Sequence, residues 1–116
     1  LYLVYPQGNY IRPADSKPYL VIGEFKYVKP ILDRVITPKV SIGDASRCAL
    51  ISMDSTLKSD LTVGPPIDFA VIKKDEIKIA SLKCLNMNDP EFSKVCNQWS
   101  QGIFKIFDSF QRFDWE

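Results

Sequence analysis

The chain has 116 residues, of which 46% are hydrophobic and 25% are charged, and its formal net charge is +1. This length and composition predict a single globular domain with one hydrophobic core, and they exclude an intrinsically disordered chain. No apolar run approaches the roughly 20 residues that a membrane-spanning helix requires, and the near-zero net charge argues against nucleic acid as the main partner. We therefore expect neither a membrane nor a nucleic acid as a partner.

Histidine is absent, and the three cysteines are widely spaced, at Cys48, Cys84 and Cys96. Without histidine the chain contains neither a Ser–His nor a Cys–His nucleophile pair, and it lacks the commonest metal-ligating side chain. An odd number of cysteines with no CxxC pair is typical of small apolar residues in a reducing compartment, not of a disulfide or zinc framework. The composition therefore predicts a cytoplasmic protein.

The first 22 residues predict three short strands. Residues 1–5 are rich in β-branched and aromatic side chains, and the turn signal at 6–9 predicts a hairpin with residues 10–12. Residues 19–22 are wholly apolar and end at Gly23, which predicts a strand buried on both faces. Because the sequence opens inside a strand, we expect the chain to be the C-terminal part of a longer polypeptide. The chain alone should then expose an apolar sheet face, and it should either aggregate or bind another polypeptide through that face.

Two helices are predicted next. Apolar residues recur at helical spacing over 25–36, with Pro30 in the first turn, where its missing N–H is tolerated. Ser41 is the predicted N-cap of the second helix, and Asp44 places a negative charge near the positive end of the helix dipole.

The second helix has one face of mostly small residues and one charged face. Helical spacing places the following on the face expected to pack: Ile42, Ala45, Ala49, Ser52, Met53 and Thr56. The opposite face carries Arg47, Asp54 and Lys58, and is expected to face solvent. Ile51 lies among these charges, either as an isolated exposed residue or as a subunit contact.

The last third of the chain predicts a hairpin and a helix. Residues 67–73 and 77–85 have the pattern of two antiparallel strands, and Asp89-Pro90 supplies an N-cap and a first-turn proline. The final helix carries one apolar stripe, expected to lie in the core: Phe92, Val95, Cys96, Trp99, Ile103, Ile106, Phe107 and Phe110. Helices laid on antiparallel strands predict the α+β class.

Three runs, LYLVYPQGNYI, YLVIGEFKYVKPILDRVI and CALISMDSTLKSDLTVGPPIDFAVI, resemble the C-terminal half of proteasome-type peptidases, and most closely the bacterial proteasome-like Anbu group. The resemblance extends over nearly all of residues 1–116. It is most specific at residues 22–24, 29–34 and 52–56, whereas Val28 stands where the family pattern has glycine. It implies half of a four-layer αββα sandwich, the fold of N-terminal-nucleophile hydrolases.

The resemblance also implies a chemistry that needs no histidine. In this family the nucleophile is an N-terminal threonine whose own amine acts as the base. That threonine belongs to the N-terminal half, so we expect this chain alone to lack the nucleophile and to be inert as a peptidase. The complete protein is expected to hydrolyse peptide bonds, and this half to supply the second wall of the site and surfaces for self-association.

Four residues are carried over as supporting site candidates. Glu24 stands where the proteasome β subunit has a serine beside the nucleophile, and a carboxylate there could tune the pKa of the amine. Ser59 stands where the family has an aspartate and Thr62 where it has a serine, and Asp60 is the neighbouring carboxylate. The alternative for Ser59, Asp60 and Thr62 is ordinary helix-stop and turn chemistry.

The resemblance further implies a structural cation, Na⁺, Mg²⁺ or Ca²⁺, held by the backbone carbonyls of Thr56, Ser59 and Thr62; no cofactor is expected to be required. The last carbonyls of a helix lack intrahelical partners and carry the negative end of the dipole, and hard cations prefer oxygen ligands. A metal titration followed through the amide shifts of these residues tests this expectation.

Three functional hypotheses follow. The first is part of a threonine-type peptidase, the second is a non-catalytic proteasome-like scaffold subunit that forms a homo-oligomer, and the third is an unrelated small binding domain. A mature N-terminal threonine in the parent protein would favour the enzyme, and a residue without a side-chain nucleophile would favour the scaffold. A complete, monomeric and stable domain over residues 1–116 would favour the third.

Overall fold

Two short antiparallel hairpins and three helices make up the secondary structure of the computed structural model, which describes residues Leu1–Glu116. The α+β class is therefore confirmed. The chain divides into two compact units, Leu1–Val63 and Gly64–Glu116. None of the helices combines the length and apolarity that a membrane span needs.

The first unit begins with the predicted hairpin, in a shorter form. Strands β1 (Leu3–Val4) and β2 (Tyr10–Ile11) pair antiparallel. The turn between them closes through a 2.8 Å hydrogen bond from the Tyr5 amide to the Asn9 carbonyl. Gly8 has a φ of 86°, a conformation that a residue with a side chain rarely adopts, so the turn requires glycine here.

The strand predicted at residues 19–22 does not form, and this prediction was wrong. The segment follows a local turn in which the Tyr19 amide donates to the Lys17 carbonyl, and it pairs with no strand of this chain. The physical reason is that a strand needs a neighbouring backbone for its amides and carbonyls. An apolar run can meet the composition of a strand without having that neighbour, and Ile22 is accordingly 83% exposed.

Helix α1 spans Lys29–Val35 and is shorter than the predicted 25–36. Pro30 lies in its first turn, as predicted. Residues 26–28 form a turn, closed by a 3.0 Å hydrogen bond from the Lys29 amide to the Phe25 carbonyl. Val28 sits at the N-cap with ordinary helical angles, φ −82° and ψ −39°, so the backbone there has no need of the glycine that the family pattern has.

Helix α2 spans Ile42–Ser59 and packs against α1. Its N-cap is Ser41, as predicted: the Ser41 Oγ accepts the Asp44 amide at 3.0 Å. The predicted packing face is buried at Ser52 and Thr56, but Ile42, at its N-terminal end, is 51% exposed.

The charged face of α2 departs from the prediction at Asp54. This residue is 1% exposed, although helical spacing placed it with the solvent-facing charges. Its Oδ2 pairs with the Lys58 ammonium at 2.8 Å, whereas its Oδ1 is buried without a hydrogen-bond partner. The C-terminal half of α2 is therefore covered on both sides, and the expectation that Asp54 faces solvent was wrong.

The second unit contains the predicted second hairpin. Strands β3 (Ile67–Ile72) and β4 (Ile79–Leu85) pair antiparallel, with Ile67 opposite Leu85 and a register shift between Val71 and Ile72. Ile67 and Leu85 are both buried, so the well-packed end of the hairpin is the one farthest from its turn.

Helix α3 spans Pro90–Asp108, and Asp89 is its N-cap: the Asp89 Oδ1 accepts the amides of Glu91 and Phe92 at 3.1 and 3.2 Å. The predicted apolar stripe is only half buried. Phe92 and Cys96, in the first two turns, are 1% and 7% exposed. The later members are exposed, contrary to prediction: Ile103, Ile106, Phe107 and Phe110.

Candidate functional site

Glu24 lies in a tight turn at the end of the apolar segment. Gly23 before it lies in a bend with a φ of 83°, and the half-buried Glu24 carboxylate accepts the Lys26 amide at 2.8 Å. The turn thus fixes the carboxylate locally, close to the start of α1.

Asp60 and Thr62 form a second turn, directly after α2. The Asp60 amide closes the helix by donating to the Thr56 carbonyl at 2.8 Å. The Asp60 Oδ1 then accepts the Thr62 amide at 2.8 Å and the Thr62 hydroxyl at 2.7 Å. Two of the predicted site residues are therefore in direct contact, through the turn chemistry that is common where helices end.

Both turns belong to the first unit, and one electrostatic interaction relates them. The Thr62 hydroxyl and the Thr62 amide, in that order, lower the pKa of the Asp60 carboxyl, and the Lys26 ammonium lowers it further. Lys26 belongs to the Glu24 turn, so its charge acts between segments that are more than thirty residues apart in sequence. The structure thereby places Asp60 and Thr62 in contact, with the charge of Lys26 acting on Asp60.

Ser59 and Thr56 complete the predicted set. Ser59 is the last residue of α2 and is exposed; Thr56 is 3% exposed, and its hydroxyl donates to the Ser52 carbonyl at 3.1 Å. The Thr56 carbonyl accepts the Asp60 amide and keeps a second lone pair. No group of three or more His, Cys, Asp or Glu side chains is arranged to hold a metal ion. The carbonyl site for a cation stays a prediction.

A further polar cluster was missed from the sequence. The Tyr19 hydroxyl donates to the Asp33 Oδ1 at 2.6 Å, and the Lys29 ammonium lies 3.0 Å from the Asp33 Oδ2. The Lys17 ammonium donates to the Asp33 carbonyl. The Lys29–Asp33 spacing of four residues on one helix was visible in the sequence. The tertiary contacts from Lys17 and Tyr19 had no sequence signal.

Three groups of this cluster, Asp33, Tyr19 and Lys29, are held in their ordinary protonation states near neutral pH. The hydrogen bond from Tyr19, followed by that from Lys29, lowers the pKa of Asp33. Burial and then Asp33 raise the pKa of Tyr19, and Asp33 raises that of Lys29. A carboxylate, a phenol and an ammonium that resist titration are suited to fixing a segment in place. The cluster therefore anchors the segment that leads to Glu24 onto α1.

An apolar groove of about 440 Å³ lies beside this cluster. It is bounded by residues 18–22, α1 and the predicted packing face of α2, with these side chains among its walls: Tyr19, Val21, Leu32, Ala45, Ala49 and Met53. The small residues of α2 leave the space open, and the unpaired segment 19–22 forms one edge. Apolar side chains from a neighbouring segment would fit such a groove.

Acid should weaken this region, because Asp33 and Asp60 both have a lowered pKa. A carboxyl whose folded-state pKa lies below its usual value of about 4 stabilises the fold above that pH, and the contribution is lost as the pH falls through the folded-state value. We expect the urea midpoint to fall between pH 5 and pH 3, and to fall less in an Asp33→Asn variant. Asp15→Asn, at an exposed carboxylate paired with Arg12, is the control and should keep the full fall. An equal fall in all three proteins would contradict the assignment.

Comparison with known proteins identifies the fold. No protein-family model and no curated protein matches the chain. Among solved structures, an Anbu (Gly-1) mutant from Hyphomicrobium sp. strain MC1 is 39% identical with a TM-score of 0.91, over 97% of this chain and 49% of that chain. Anbu, an ancestral β-subunit, from Yersinia bercovieri is 38% identical with a TM-score of 0.91, over 97% and 48% of the two chains.

A third structure shows an assembly. The helical assembly of the Anbu complex from Pseudomonas aeruginosa contains a chain 39% identical to this one, with a TM-score of 0.89, over 97% of this chain and 46% of that chain. The present chain therefore spans about half the length of the Anbu proteins that it matches. The family resemblance inferred from the sequence is confirmed. The chain belongs to the Anbu group of proteasome-like proteins.

Proposed function

We propose that this chain forms one wall of the active site of a proteasome-like threonine peptidase. The nucleophilic threonine would come from the part of the Anbu length that this chain does not span, and the two parts together would form the αββα sandwich of N-terminal-nucleophile hydrolases. The observation that carries the proposal is the contact between Asp60 and Thr62, with the charge of Lys26, whose amide binds the Glu24 carboxylate, acting on Asp60.

The chemistry of these residues suits a supporting role. A threonine whose own amine is the base needs an environment that sets the pKa of that amine. Asp60 is kept ionised by Thr62 and Lys26, so it supplies a fixed negative charge where Ser59 replaces the family's aspartate. Glu24 would add a second carboxylate, held by the Lys26 amide. The proposed substrate is a peptide bond, and the proposed location is the cytoplasm.

The experiment uses the full-length protein with fluorogenic peptides. Asp60→Asn keeps an oxygen that can accept the hydrogen bonds from Thr62 but removes the charge. We expect kcat/KM to fall by about tenfold or more, which corresponds to about 1.4 kcal/mol of transition-state stabilisation. We also expect the pH–rate profile to shift, because the amine would lose a neighbouring negative charge.

The matched control is Asp15→Asn, which removes an exposed carboxylate from the same unit and should leave activity and its pH profile unchanged. Equal activity in the wild type and Asp60→Asn would rule out a role for Asp60. A wild-type protein that hydrolyses no peptide would overturn the peptidase proposal as a whole.

A non-catalytic scaffold subunit is the second candidate, favoured by the helical assembly of the P. aeruginosa relative. In that case self-association would be the function, and the Asp60–Thr62 turn would only terminate α2. N-terminal sequencing of the mature full-length protein separates the two candidates. An N-terminal threonine favours the peptidase, and a residue without a side-chain nucleophile favours the scaffold.

A further inference from the structure

The end of α3 and the residues after it carry an unusual concentration of exposed aromatic side chains. We call these five residues the aromatic surface: Phe104, Phe107, Phe110, Phe113 and Trp115. Each is between 62% and 79% exposed. The stripe that is buried at Phe92 and Cys96 is thus exposed farther along, at Phe107 and Phe110.

Four of the five rings of the aromatic surface meet in two pairs. Phe107 and Phe110 meet edge to face, with ring centroids 6.2 Å apart, and Phe113 and Trp115 are stacked at 5.0 Å. Arg112 and Glu116 form an ion pair at 3.3 Å across the same stretch. These contacts restrict the orientations of the paired rings, which reduces the conformational entropy lost on association.

The area is large enough for a specific interface. An aromatic side chain offers about 150–250 Å², so the five rings at their observed exposure present roughly 700 Å². That exceeds the largest apolar patch of a typical monomer, about 300–600 Å². It is close to the roughly 800 Å² that each partner contributes to a protein–protein interface of standard size. Phenylalanine and tryptophan are also enriched at the centre of such interfaces.

We propose that the aromatic surface is a contact between copies of this protein. The flanking charges are nearly balanced, with Lys105 and Arg112 against Asp108, Asp114 and Glu116, so a second copy would meet little like-charge repulsion. Two copies can bind through the same patch around a two-fold axis. Each contact between two different residues then occurs twice, once in each direction. The inference rests on the proposed self-association, which the helical assembly of the P. aeruginosa relative supports.

The remainder of the full-length protein is the competing occupant. If it covered the aromatic surface, these rings would belong to the core of each subunit. Charged substitutions would then unfold the subunit instead of separating subunits. The two occupants therefore differ in which quantity changes: the stability of the subunit, or the affinity between subunits.

The experiment compares two double variants of the full-length protein. Phe104→Asp/Phe107→Asp places two charges in the aromatic surface. Gln98→Asp/Gln101→Asp is the control, with the same spacing and the same added charge at exposed polar positions of α3 outside the aromatic surface. Sedimentation velocity over a concentration series gives the apparent dissociation constant of the assembly, and thermal unfolding gives the stability of the subunit.

We expect the aromatic variant to associate at least 100-fold more weakly than the wild type, because buried aromatic residues dominate interface energies. The control should stay within about threefold of the wild type, and both variants should melt within a few degrees of each other. Assembly of the aromatic variant with wild-type affinity would overturn this inference and leave self-association standing. A selective fall in its melting temperature would assign the surface to the subunit core. A monomeric wild type would overturn both proposals.

Discussion

Replacing Phe92 with alanine is expected to lower the free energy of unfolding by about 3–5 kcal/mol, the range found for large aromatic residues deleted from protein cores. Phe92 is 1% exposed and lies in the first turn of α3, where its amide also donates to the Asp89 carboxylate. The loss combines the transfer of the ring out of the core with the cavity left behind, because the surroundings relax only partly. Urea denaturation of the full-length protein measures it.

Two further variants show whether burial is the cause. Phe92→Leu keeps most of the volume and should destabilise the protein clearly less than alanine does. Phe25→Ala removes a ring that is 54% exposed, outside α3, and should lower the free energy of unfolding by no more than about 1 kcal/mol. If Phe92→Ala and Phe25→Ala had equal effects, Phe92 would not be a core residue.

Helix starts were predictable from the sequence because their signals are local. Ser41 and Asp89 cap α2 and α3, and Pro30 lies in the first turn of α1, all as predicted. A cap needs only a suitable side chain within three residues of the amides that it accepts. Such a contact is specified by the sequence around it, whatever the rest of the fold does.

Elements that depend on distant neighbours were predicted poorly. Residues 19–22 have the composition of a strand, but no backbone of this chain pairs with them. The apolar stripe of α3 is continuous in sequence, yet it is buried or half-buried only as far as Trp99 and is exposed from Ile103 onward. Periodicity shows which face of an element is apolar; what covers that face is a tertiary property.

The candidate site also combines a local contact, which the sequence predicts, with an interaction between distant segments, which it does not. The contact between Asp60 and Thr62 is local, and turn chemistry anticipates it. The roles of Glu24, Ser59 and Thr62 came from the family resemblance, because no spacing in the sequence relates Glu24 to the end of α2. The action of Lys26 on Asp60, which relates the two turns, required the structure.

The buried Asp54 supplies the second large prediction. Its Oδ2 contacts the Lys58 ammonium at 2.8 Å, while its Oδ1 has no partner, so Lys58 is the nearest compensation for a buried charge. Removing one partner of a fully buried pair typically destabilises a protein by 3–5 kcal/mol. The Lys58 side chain is 55% exposed, so solvent screens the pair. We therefore expect Lys58→Met to lower the free energy of unfolding by about 1–3 kcal/mol.

A double-mutant cycle isolates this pair from the other contacts of Lys58. Asp54→Asn keeps the shape of the side chain and removes its charge. In the Asp54→Asn background, Lys58→Met should therefore lower the free energy of unfolding by less than it does in the wild type. We expect Asp54→Asn/Lys58→Met to be more stable than the sum of the single changes predicts, by about 1 kcal/mol or more. Lys73→Met is the control, because its pair with Glu76 is exposed on both sides at 3.8 Å and should be worth less than about 0.5 kcal/mol. Strict additivity in the cycle would mean that Asp54 is stabilised by some other group, and that its burial on α2 does not depend on Lys58.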